Sequence, residues 1–216
     1  MDRSDTRPNK RQLSAAATKD RLIEATIHCM ANYGPAGASV EKITEAAGVS
    51  RGLVRHHFGN KRQLMIEAFR RLADEERVAF GGEVVSPEAD AVATLRTAIV
   101  TSFGDALAAP ARAHAWFGFW QAALGDPTLR EINERVYAET RERYSELFRL
   151  AARQRGVVID DRSAGYGLVA LSDGAWNELV MDSTDFGVDD ALALCDEYID
   201  MILERAEAAG EARDSG

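Results

Sequence analysis

The sequence predicts an all-α protein, in which a three-helix, helix–turn–helix head is joined by a long helix to a larger helical part. Three observations carry this. Apolar residues recur at three- and four-residue spacing in segment after segment, and nowhere alternate as a half-buried strand would. Gly, Pro, Asn and Asp punctuate those segments where helices start and stop. Between Ser39 and Lys61, the stretch SVEKITEAAGVSRGLVRHHFGNK sets two short amphipathic segments around one tight turn.

Taken in order, residues 1–16 are polar and basic without periodicity and are expected to form a flexible arm. Arg7, Lys10 and Arg11 offer phosphate or minor-groove contacts there, or simply a solvated tail. Helical spacing starts at Thr18, with Leu22, Ala25, Thr26 and Cys29 on one strip and Ile23, Ile27 and Met30 on another, and stops at Tyr33-Gly34-Pro35. Val40, Ile43 and Ala47 give the next helix its apolar stripe, and Gly48 ends it. Ser50 is expected to cap the helix that carries Val54 and Phe58.

Asn60 and Gln63 stand at capping-box spacing ahead of Leu64, Ile66, Phe69 and Leu72. That helix is expected to reach about Phe80 and to end at Gly81-Gly82. Ser86-Pro87-Glu88 reads as a cap with Pro at the first helical position, opening a helix through Val92, Leu95, Ile99 and Phe103. Pro110 opens the next, and Asp126-Pro127 repeats the cap-plus-Pro signal. Gly156 ends that long helix. A further helix follows Asp160, and the last begins near Val188 with Leu192, Cys195, Ile199 and Ile202 on one strip and Leu194, Tyr198 and Met201 beside it. The tail from 206 to 216 is polar and expected to fray. The resulting division is 1–16 arm, 17–61 head, 62–205 second helical domain and 206–216 tail.

The block from Ser39 to Lys61 also carries chemistry. Arg51, Gly52, Arg55, His56 and His57 lie among the apolar positions of the second helix with no packing reason to be there. A helix–turn–helix presents such donors to the major groove of DNA from its second helix. A surface hairpin with a solvated basic face is the bland alternative, and turn chemistry and short helix lengths speak against it. Net charge, −9 overall, opposes a nucleic-acid partner only until it is split. Residues 1–64 hold eleven Lys and Arg against six Asp and Glu, whereas the remainder holds fifteen against twenty-nine. All four lysines fall in the first part. Only one end is suited to phosphate.

There is no run of about eighteen apolar residues and no apolar core near the N-terminus, so a membrane span and a secretory signal are not expected and the cytoplasm is. Cys29 and Cys195 sit in apolar helical patterns, which reads as buried thiols rather than a disulfide or metal site. Adjacent His56 and His57 point about 100° apart on a helix and cannot chelate one metal. With no nucleophile elbow, phosphate loop or paired-carboxylate motif, neither catalysis nor a cofactor is expected.

The head resembles the TetR family of bacterial transcriptional repressors, on the continuous block VSRGLVRHHFGNK and the turn before it. The family's closing aromatic and lysine match Phe58 and Lys61, and its basic residue and glycine after the turn match Arg51 and Gly52. Its aromatic pair around a histidine is altered to Arg55 and His57, with His56 retained. The segments HAWFGFWQAALGDPTL and AGYGLVALSDGAWNEL are similar to the choline-responsive BetI branch. The resemblance implies a repressor bound to a palindromic operator as a homodimer, with a helical ligand-binding and dimerisation domain behind the head and the interface in its last two helices. The double apolar strip on the last helix agrees, although a fully buried helix carries the same pattern.

Within that reading Arg55 is the first choice for base recognition, since a guanidinium bonds two acceptors of a guanine. Arg51 reads a base or holds a phosphate; Gly52 permits close approach. Lys61 and His57 are assigned to phosphate, with Ser50 at the helix start. His56 has two readings, DNA contact or packing beside Phe58. Ser39 and Lys42 touch the backbone, or serve only as cap and solvated charge. For an effector, Trp116, Phe119 and Trp120 share one helical face, and Tyr166, Asp173, Trp176 and Asn177 lie on a later helix. Aromatic faces with a carboxylate suit a small cationic ligand such as a quaternary ammonium, and equally suit plain core. A protein effector, or none, is the alternative.

Overall fold

The computed structural model describes residues 10–79, 86, 88–108, 110–181 and 185–214. These residues form helices and their connections, with no strand among them. In chain order the helices are α1 (Lys10–Gly37), α2 (Val40–Ala46), α3 (Gly52–Phe58), α4 (Lys61–Ala79), α5 (Ala91–Ala108), α6 (Pro110–Gly125), α7 (Pro127–Arg155), α8 (Asp161–Val180) and α9 (Val188–Asp214). The all-α expectation is met.

Local chemistry explains most boundaries. α1 breaks at Gly34, whose φ of 62° and ψ of −177° no helix continues through, with Pro35 behind it. Gly48 takes φ 63° after α2, and Gly156 takes φ 68° after α7, the left-handed conformation in which Gly carries no Cβ penalty. Asp126 accepts from the backbone N–H of Thr128 at 2.9 Å and so caps α7. Asp160 does the same for α8 through Ser163 N–H at 3.0 Å.

Several expectations are corrected. α1 begins at Lys10, inside the expected arm; Arg7 lies outside the described residues, and the basic side chains at 10 and 11 are not described. α3 is not capped by Ser50: Arg51 occupies the cap position in helical conformation, with no side-chain cap bond. The box at Asn60 is half formed, because its Oδ1 accepts from Gln63 N–H at 2.9 Å while the Gln63 amide turns to Glu67. α5 starts after Asp90, whose carboxylate accepts from Ala93 N–H at 3.0 Å, four residues past the Ser86-Pro87 signal. Ser86 instead closes a local turn with Glu88; Pro87 and the Phe80–Gly82 stop lie outside the described residues. α9 continues to Asp214 through the expected tail.

The chain divides into two compact units. The first runs to Leu72 and includes Ala111–Ile132; the second holds Ala73–Pro110 and Asn133–Gly216. The first unit therefore extends past residue 61, for a reason visible in its packing. Phe69 of α4 stacks on Phe119 of α6 at 4.7 Å and meets Trp116 edge-on at 5.3 Å. Gly118 lets α6 approach α1 closely: a Cβ there would lie 2.8 Å from the Met30 carbonyl oxygen. Arg112 of α6 pairs with Glu24 of α1 at 2.7 Å, and Arg62 of α4 holds Asp126 through two bonds of 2.6 and 2.8 Å. In the second unit α8 lies against α9, and α5 against both, around Leu95, Phe103, Leu147, Phe148, Leu168 and Ile199.

Candidate nucleic-acid interface and regulatory site

α3 is anchored by Val54 and Phe58, both buried, as α2 is by Ile43 and Thr44. That fixes which residues of α3 are left outward: Arg51, Gly52, Arg55 and His56 are all exposed. Ser50 is exposed at the turn, its carbonyl accepting from Leu53 N–H at 3.1 Å. Nothing lies within 4 Å of a Cβ built on Gly52, so the space over it is open. Among the described residues no ion pair holds the Arg55 guanidinium, whereas Arg51 reaches Glu41 of α2 at 3.0 Å.

Neighbouring groups are more constrained than their sequence suggests. Ser39 caps α2, its hydroxyl accepting from Lys42 N–H at 3.3 Å. The Lys42 ammonium sits 3.8 Å from the centroid of the Tyr33 ring, which directs it by a cation–π contact. Lys61 donates to the Pro35 carbonyl at 3.3 Å, tying the start of α4 to the bend near the end of α1. His57 stands apart from the outward set. It is half-buried and lines a groove of about 440 Å³ with Lys19, Asp20, Phe58, Gln63 and Glu67. Desolvation there, then the charges of His56 and Lys19, pushes its pKa below the usual 6.5.

The residues expected to hold an effector are divided. Trp116, Phe119 and Trp120 belong to the first unit, where Phe119 is fully buried and Trp116 packs on Phe69. Trp116 and Phe119 pack against α4, whereas Trp120 is half-buried beside Trp116 and Phe117 of its own helix. Tyr166, Asp173, Trp176 and Asn177 belong to the second unit and share one face of α8. Asp173 is mostly buried, and desolvation raises its carboxyl pKa despite the Tyr137 hydrogen bond and the Arg141 charge, which lower it. The Arg141 guanidinium lies 4.9 Å from the Tyr166 ring centroid and 5.8 Å from that of Tyr137; Arg162 lies 5.4 Å from Tyr166.

Sequence reasoning missed Glu41, Lys19, Tyr33, Tyr137 and Arg141. All are ordinary helix-surface residues by composition, and only their cross-helix partners give them a role. The i, i+4 spacing of Tyr137 and Arg141 on α7 was the one available signal. Among the described residues no group of three or more His, Cys, Asp and Glu is arranged to hold a metal. No described helix is long and apolar enough to cross a membrane. Cys29 and Cys195 are buried free thiols.

Comparison with known proteins agrees with this layout. Residues 22–68 match the family described as bacterial regulatory proteins, tetR family, and residues 91–204 match the BetI-type transcriptional repressor C-terminal family. The HTH-type transcriptional regulator BetI of Ectopseudomonas mendocina is 30% identical over 195 residues, covering 87% of this chain and 94% of its own. That of Paraburkholderia phymatum is 27% identical over 188 residues, at 87% and 94% coverage. A transcriptional regulator from Rhodococcus sp. Rha1 superposes with a TM-score of 0.74 at 26% identity, over 87% of this chain and 97% of that one. A Saccharomonospora viridis protein solved in complex with choline shares the fold at 20% identity, TM-score 0.73, over 86% and 96% of the two chains. The chain belongs to the TetR family, in its BetI-type branch, and is a sequence-specific DNA-binding transcriptional repressor rather than an enzyme.

Proposed function

We propose that this repressor reads a palindromic operator as a homodimer in the cytoplasm and is released from it by a small molecule. The observation that carries the DNA side is the outward set on α3. Arg55 reads a base, Arg51 reads a base beside it, and Gly52 and Ser50 allow close approach. His56 joins them from the same exposed face. Lys61, Lys42 and Ser39 hold the backbone on either side, fixing register without reading sequence. His57 contributes by packing at the groove behind α3 rather than by binding phosphate.

The dimer is assigned to α8 and α9. On α9 Cys195, Ile199 and Leu203 are buried, while Leu194 and Met201 on the adjoining strip remain 41% and 37% exposed. A second copy would cover that strip. Half-sites then lie roughly 34–36 Å apart, so a small change in head spacing breaks register. An effector acts only through its differential affinity for the two states, commonly about 1–3 kcal/mol.

Its seat is assigned to the α8 face of Tyr166, Asp173, Trp176 and Asn177. The cationic ligand expected from sequence loses support here, because the Tyr166 ring already faces the guanidinium groups of Arg141 and Arg162. The test is selection of the preferred site from a random DNA pool, followed by mobility shifts with Arg55→Ala. Loss of preference with an intact fold is expected; normal operator binding by the variant would overturn the assignment.

A further inference from the structure

We infer that the effector carries a carboxylate, and that Arg141 on α7 is the residue that receives it. This rests on the reading that a small molecule regulates DNA binding. It starts from two atoms left without partners. The Nε of Arg141 is buried with no hydrogen-bond acceptor, and the Oδ1 of Asn133 is buried with no donor. Asn133, Tyr137 and Arg141 follow one another at i, i+4 and i+8, so they share one face of α7. Buried polar groups in folded proteins are nearly always bonded, and a guanidinium N–H is among the costliest to leave bare.

No neighbour meets that need. Asp173 on α8 is close enough for the Arg141 charge to act on its carboxyl, yet no ion pair joins the two among the described residues. Burial raises the Asp173 carboxyl pKa despite the Arg141 charge, so Asp173 resists ionising beside the guanidinium. The Tyr166 and Tyr137 rings border the guanidinium, their centroids 4.9 and 5.8 Å from its carbon. A second cation placed here meets like charge in a poorly screened site. A carboxylate instead gains charge-assisted bonds in the fork geometry that Arg presents. The half-buried Trp176, one turn beyond Asp173 on α8, supplies apolar surface for the rest of the molecule.

Three probes of equal chain length separate the possibilities: hexanoate, hexan-1-ol and hexyltrimethylammonium. Calorimetry on the full-length protein is expected to show hexanoate binding at least tenfold tighter than either other probe. Arg141→Gln should weaken hexanoate at least tenfold and leave hexan-1-ol unchanged. Arg141→Lys, which keeps the charge and the stem but loses the fork, should retain part of the affinity and guards against a folding defect in the first variant. Equal or tighter binding of the ammonium or the alcohol overturns the inference. So does the absence of binding by all three at millimolar concentration, which would mean that water alone satisfies Arg141 and Asn133. Hexanoate that binds without releasing operator DNA sinks the effector reading and leaves the site. A compound that releases DNA equally from parent and Arg141→Gln does the reverse.

Discussion

The Arg51 guanidinium lies 3.0 Å from the Glu41 carboxylate, so a residue at the reading end of α3 is held by α2. Both side chains are more than half exposed, and an exposed pair adds little to stability. Its consequence is orientation: Arg51 is aimed before DNA arrives. In the proposed binding mode Glu41 also brings a negative charge toward the phosphates, which would lower affinity for every sequence. Glu41→Gln is therefore expected to bind scrambled DNA several-fold tighter while its ratio of operator to scrambled affinity falls. Mobility shifts on the two DNAs measure both. An unchanged ratio would show that Glu41 does not position Arg51.

Lys61 should behave differently, because the contact proposed for it is with the DNA backbone alone. Its ammonium is already fixed at 3.3 Å from the Pro35 carbonyl, at the start of α4. Lys61→Ala is expected to weaken operator and scrambled DNA alike. The slope of log K against log salt should become shallower by about 1, the loss of one phosphate contact. Fluorescence anisotropy across a salt series reads this directly; a change confined to operator would contradict it.

How much of this was legible beforehand follows from where the information lies. Gly48, Gly156, Asp126-Pro127 and the α3 positions Val54 and Phe58 act locally, and their roles were readable from spacing and cap chemistry. Residues whose role depends on a partner distant in sequence were not. Trp116 and Phe119 suit an aromatic cage and a core alike because the two share one periodicity; the packing partner Phe69, some fifty residues earlier, is invisible to spacing. The sequence assigned His57 to phosphate and left His56 between DNA contact and packing; in the structure it is His57 that is half-buried, in the groove with Lys19, and His56 that is exposed. The start of α5 was misplaced because two capping signals, at Ser86 and Asp90, lie within one turn of each other, and the second supplies the N-cap bond.

Gly118 and Gly104 offer a paired test of helix packing. In a helix interior, Gly→Ala ordinarily stabilises by about 0.5–1 kcal/mol. At Gly104 of α5 nothing lies within 4 Å of the added Cβ, so Gly104→Ala should gain about that much. At Gly118 the same atom would stand 2.8 Å from the Met30 carbonyl oxygen and 3.3 Å from its carbon. Backbone cannot swing aside, so overpacking at about 1–3 kcal/mol outweighs the helix gain. In thermal melts Gly104→Ala should rise and Gly118→Ala should fall, at about 2–4 °C per kcal/mol for a chain of this size. Melting points that move in the same direction would count against the close α1–α6 crossing.

Asp173 sets a pH dependence whose sign can be worked out. Burial raises its carboxyl pKa in the folded protein, more than Tyr137 and Arg141 on α7 lower it. The folded state then binds this proton more tightly than the unfolded chain, whose carboxyl titrates near about 3.9. Below that value both states are protonated and the full contribution is present. As pH rises through the folded-state pKa, the proton is lost and the contribution with it. Carboxylates with lowered pKa, such as Asp126 and Asp160, run in the opposite sense, so total stability does not isolate the effect. Comparison with Asp173→Asn does, since the amide keeps the shape and never ionises. The variant is expected to melt higher than the parent at pH 8, with the difference shrinking as pH falls toward 4. Differential scanning calorimetry at several pH values gives the curve. A difference that stays constant across that range would mean that burial does not govern the Asp173 carboxyl.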